Sequence, residues 1–129
     1  MSDGSGKGKV IGYWIFTVLI VLSQGASGVM DLMGAAPVLE GVTSLDYPAY
    51  ILNILGPWKL LGVIVLAMPG KALWKEWAYA GFFFDFTGAA ASHIMHGDGP
   101  ELFMAPIIIL GFLAGSYFLR PADRKLPSA

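Results

Sequence analysis

The chain has no cysteine. It can form no disulfide and no thiolate metal site, and it can run no thiol redox chemistry on its own. Charge is scarce too. Only 13% of the residues are Asp, Glu, Lys or Arg, against roughly 25% in an ordinary soluble domain. So little charge cannot cover a water-facing surface. The net charge of -1 supplies no basic field for nucleic acid, so no nucleic-acid partner is expected. Nor is there a clear internal repeat of the kind on which many membrane carriers are built. What the 129 residues hold instead is apolar: 56% of the chain is hydrophobic, with mean hydropathy +0.66.

Four stretches reach the roughly 20 residues that a bilayer core requires. They run over about 10–30, 50–68, 76–96 and 102–119. The expected fold is all-α, an integral membrane four-helix bundle with the lipid bilayer as its principal partner. Residues 1–9, rich in Gly and Ser, and residues 120–129 are expected as tails. Every basic residue except Lys59 falls on one side of this arrangement: Lys7, Lys9, Lys71, Lys75, Arg120, Arg124 and Lys125. The other side carries Asp31, Glu40, Asp46, Asp98 and Glu101. An excess of Lys and Arg marks the cytoplasmic face, which places both termini in the cytoplasm. A cleaved leader ending near Gly25-Ala26-Ser27-Gly28 is the competing reading, and it would leave three spans.

The polar residues inside these spans are the candidate site. In the first span Thr17, Gln24, Gly28 and Asp31 share a side at helical spacing. Lipid cannot satisfy Gln24, so this stripe is expected to face the bundle, with Gly25 and Gly28 as packing positions. The second span holds Asn53, Gly56-Pro57 and Lys59. Pro57 removes a backbone donor and clashes with the carbonyl of Asn53, so a kink is expected there. In the third span Gly81, Asp85, Ala89, Ser92 and His96 form one face, with His93 at its edge. Lys59 and Asp85 sit equally far along antiparallel spans and should meet near the midplane. A charge at that depth costs roughly 2.5–3.5 kcal/mol on insertion scales, so a partner or a task is needed. The expectation is a Lys59–Asp85 ion pair flooring a polar cup of Gln24, Asn53, Ser92, His93 and His96. The same two residues are the catalytic candidates, with Asp85 as acid–base and Lys59 tuning it.

Asp98 and Glu101 follow His93 and His96, and a histidine–carboxylate cluster can bind a transition metal. A bare His-x-x-His spacing is a weak signal, so no metal is expected. Both histidines fall on one span, which argues against haem. The fourth span is plain, with Gly111 and Gly115 as a packing face. Between the first two spans, residues 38–45 could form a short amphipathic helix, a lid or simply a connector.

Several stretches together resemble the DoxX-like family of small bacterial membrane proteins. They are Lys75-Glu76-Trp77-Ala78-Tyr79-Ala80-Gly81, then Phe84-Asp85, Thr87-Gly88-Ala89, Ser92-His93 and Gly97-Asp98. Ile54-Leu55-Gly56-Pro57-Trp58-Lys59-Leu60-Leu61-Gly62 and Leu45-Asp46-Tyr47-Pro48 fit as well. The resemblance covers about residues 11–119. It implies a multi-pass four-helix protein of the bacterial cytoplasmic (inner) membrane. Relatives are linked to quinone-dependent sulfur oxidation and to maturation of an amine dehydrogenase. The resemblance supplies no catalytic residue. Three functions follow as expectations. The first is binding of a small lipophilic or quinone-type ligand in the cup, with no other cofactor. The second is an accessory or assembly subunit beside a membrane redox partner or in a homo-oligomer. The third is an enzyme using Asp85.

Overall fold

The computed structural model describes residues 3–126. Five α-helices follow one another: α1 (Asp3–Met33), α2 (Ala36–Thr43), α3 (Leu52–Ala67), α4 (Ala72–His96) and α5 (Pro100–Phe118). Short 3-10 turns at Ala49–Ile51 and Ala122–Arg124 precede α3 and follow α5. No strand occurs among the described residues. The four long helices alternate in direction. One end of the bundle holds α2 and the α4–α5 turn, and the other holds the start of α1, the α3–α4 turn and the end of α5.

Three helical segments are long and apolar enough to cross a membrane: Gly6–Met33, Ala49–Ala67 and Pro100–Phe118. α4 is long enough but carries Lys75, Glu76 and Asp85, and it is not among them. Large apolar side chains cover the outside of the bundle, Leu22, Trp58, Phe84 and Phe118 among them. Such a surface marks a membrane-embedded protein, since water-soluble chains rarely expose apolar area on this scale.

Inside, Ile20, Val63, Leu66, Tyr79, Phe82, Phe86 and Leu113 form the apolar core. A short polar relay crosses it. Ser116 Oγ lies 2.6 Å from Thr17 Oγ1 and 2.6 Å from Tyr79 Oη, joining α1, α4 and α5. These hydroxyls satisfy one another where lipid could not.

Glycine sets two of the helix crossings. A Cβ built on Gly28 would lie 3.1 Å from the Gly56 carbonyl oxygen, and one on Gly56 would lie 3.1 Å from the Gly28 carbonyl oxygen. α1 and α3 therefore touch backbone to backbone. Gly115 likewise receives the Phe16 ring, whereas Gly111, expected beside it as packing surface, faces open space. Gly25 makes only ordinary contact. α3 runs through Pro57 as one helix, with Pro57 on the exposed side.

The expected tails differ from what is found. α1 begins at Asp3, so helix runs through most of residues 1–9; residues 1–2 and 127–129 lie outside the described residues. On the C-terminal side Arg124 is buried. Its Nε donates to Tyr13 Oη at 2.6 Å, and its Nη2 donates to the Leu66 carbonyl at 2.6 Å and the Met68 carbonyl at 3.1 Å. Lys75 is fully buried as well. Its Nζ donates to the Val65 and Gly70 carbonyls, each at 2.7 Å, and to that of Met68. A helix ends in unpaired carbonyls and partial negative charge. Two cations clamp that end of α3, which explains how a lysine and an arginine are held inside so apolar a chain. Arg120 pairs with Glu76 beside them, and Tyr117 Oη donates to Glu76 Oε1 at 2.9 Å.

Candidate functional site

The Gly28–Gly56 crossing brings the next turns of α1 and α3 together, and this decides the partner of Lys59. Lys59 Nζ lies 2.9 Å from Asp31 Oδ2 and donates to Ser27 Oγ at 2.9 Å. The expected Lys59–Asp85 ion pair is therefore replaced by Lys59–Asp31. Asp31 is buried to 1% exposure. Its Oδ2 is an ion contact by distance but receives no aligned hydrogen bond among the described residues.

The reason for the difference is directional. The Cα–Cβ bond of a helical residue tilts toward the helix N-terminus. α3 and α4 are antiparallel, so side chains at one depth lean opposite ways. Lys59 leans toward the α2 end, where its four-carbon stem carries the ammonium to Asp31. Asp85 leans the other way.

Asp85 instead lines a groove between α3 and α4 of about 650 Å³. The volume falls within the roughly 300–1,000 Å³ typical of small-molecule sites. Trp58, Trp74, Trp77 and Phe84 form its aromatic walls, Gly62 and Gly81 thin its lining, and the only charged residues on it are Lys59 and Asp85. Gly62 leaves room for the Phe82 ring, because a Cβ there would lie 2.7 Å from it. Among the described residues Asp85 makes no hydrogen bond and no ion pair (the charged contacts are Lys59–Asp31, Arg120–Glu76 and the two histidine contacts of Asp98).

The other expected cup residues do not gather around Lys59 and Asp85. Gln24 is buried on the bundle side of α1. Asn53 is exposed on α3. Ser92 lies at the α2 end, with its Oγ 2.7 Å from Tyr47 Oη. His93 and His96 share one carboxylate: their Nδ1 atoms lie 2.7 and 2.8 Å from the two oxygens of Asp98. Gly97, with φ 88°, turns the chain so that Asp98 can reach back. Hydrogen bonds from His93 and then His96 hold the Asp98 carboxyl below its usual range. No group of three or more metal-ligating side chains comes together among the described residues. The expected single cup is thus two polar groups at different depths.

The aromatic walls went unread in the sequence as part of a site. The signal was present: Trp74, Trp77, Ala78, Gly81 and Asp85 follow the three- and four-residue spacing of one helix face.

The sequence model of the DoxX-like family matches residues 15–116. The chain belongs to the DoxX-like family. The match encloses the α1–α3 crossing, the whole groove of this DoxX-like protein and the Asp98 clamp. The clamping Arg124 lies beyond it. No curated protein and no solved structure matches the chain.

Proposed function

We propose that this DoxX-like protein binds a small lipophilic molecule in the α3–α4 groove. In this reading it is a multi-pass protein of the bacterial inner membrane. α4 is its fourth span, with Asp85 turned to the groove rather than to bulk lipid. The end of the bundle with Lys7, Lys9, Lys71, Arg120 and Lys125 faces the cytoplasm, as the excess of basic residues there supports. The observation that carries the binding reading is the groove itself: an open aromatic cavity with a carboxyl on its wall. Ligand sites combine such apolar walls with a few placed polar groups. The indole faces of Trp58, Trp74 and Trp77 suit a flat or branched apolar body. Asp85 suits its polar end. A quinone is one molecule of this class. Its ring would lie against the indoles and its carbonyl oxygen near the Asp85 carboxyl.

Tryptophan fluorescence tests this directly. Three of the four tryptophans line the groove, and Trp14 stands apart on α1. Titrating a short-chain quinone into the purified protein should quench most of the emission saturably, and Trp14→Phe should leave the titration unchanged. An absence of saturable quenching, together with no small molecule extracted from the purified protein, would sink the ligand reading. It would favour the accessory-subunit reading, in which the groove receives a partner's helix.

A further inference from the structure

We infer that the α3–α4 groove takes a lipophilic cation, held against Asp85 and boxed by Trp58, Trp74 and Trp77. This rests on the ligand-binding reading above and narrows the ligand to one charge type.

Charge accounting leads to it. Three ionisable groups come near one another: Asp31 near the end of α1, Lys59 on α3 and Asp85 on α4. Lys59 has one positive charge, and the 2.9 Å contact commits it to Asp31. Its hydrogen bond to Ser27 turns the ammonium further toward α1. What Lys59 presents to the groove is mainly its apolar stem. Asp85 is left facing the cavity without a partner among the described residues. An isolated carboxylate in an apolar setting is too costly to persist. Two species can balance it, a proton or a cation, one at a time.

The walls choose between ligand types. Cations are attracted to the faces of aromatic rings, and to indole most strongly. Three indoles and a carboxyl on one cavity complement a cation on both counts. They complement a neutral quinone through its ring and one carbonyl oxygen, with no charge to match. An anionic amphiphile is disfavoured, because Lys59 is already neutralised and Asp85 repels. The cation must itself be lipophilic, since the remaining lining is apolar. Binding is then an exchange. Asp85 gives up its proton to water as the ligand arrives, so one positive charge enters and one leaves. The charged groups facing Asp85 from the neighbouring helices are Lys59 and Asp31, which pair with each other.

The probe is tetraphenylphosphonium, titrated into the full-length purified protein at several pH values. Wherever the proton occupies Asp85, affinity should rise by up to about tenfold per pH unit. Asp85→Asn should lose binding by at least about tenfold while Asp85→Glu keeps it. In weakly buffered solution the wild type should release close to one proton per cation bound. This readout does not depend on whether Asp85→Asn folds. Equal tetraphenylphosphonium affinity in wild type and Asp85→Asn, or binding with no proton release, would overturn the inference. A neutral quinone titration on the same samples separates the two levels. Quinone binding without cation binding refutes the cation and leaves the ligand site standing. Binding of neither refutes both.

Discussion

Lys59 and Asp31 show how much a single side chain can decide. Each is a charge in an apolar bundle, and each is tolerable because of the other. Removing one member of a buried pair strands its partner and costs about 3–5 kcal/mol, whereas replacing both by apolar groups is often close to neutral. Lys59→Met and Asp31→Leu should therefore each lower folded yield in detergent and the thermal midpoint sharply, and the double variant should recover much of the loss. If the two losses simply add, the residues act independently and the pairing is wrong. The presence of a buried lysine needing a partner was legible from the sequence, but its identity was not. Counting residues gives the height of a Cα and says nothing of the direction in which the side chain leaves it. Asp85 was legible as a candidate for the same reason and has no partner among the described residues, which gives it its interest.

At the scale of the helix, small residues fix where the bundle closes and where it stays open. Gly28 and Gly56 let α1 and α3 meet at their backbones, with the neighbouring carbonyl 3.1 Å from either added Cβ. Rigid backbone cannot yield as a flexible side chain would. Gly56→Ala should push the helices apart, cost about 1–3 kcal/mol as overpacking does, and draw Asp31 away from Lys59. Gly88→Ala meets nothing within 4 Å and serves as the control. Equal thermal midpoints for the two variants would show that the close crossing contributes little. Helix positions were readable because hydropathy marks three of the four long elements. The extra turns at the start of α1 were not, because Gly and Ser read locally as tail, and continuation of an existing helix overrode that preference.

For the whole molecule, orientation is the property on which the other readings depend. The absence of cysteine is useful here, because any introduced thiol is the only one. Gly41→Cys on α2 and Asp123→Cys beyond α5 lie at opposite ends of the bundle, both exposed. With intact cells and a membrane-impermeant maleimide, the first should label at once and the second only after permeabilisation. The reverse pattern would invert the proposed topology. The charge asymmetry behind this expectation is visible in the sequence, but three of those basic residues also have structural duties that no count reveals. Lys75 and Arg124 clamp the end of α3, and Arg120 holds Glu76. The clamp also orders events in time. As the chain is made, Lys75 emerges soon after α3 and can cover the Val65 and Gly70 carbonyls at once. The Leu66 carbonyl must wait for Arg124, which follows all four long helices. A bundle interrupted before that point leaves the Leu66 carbonyl uncovered, so the fold closes only once the segment beyond α5 has been made.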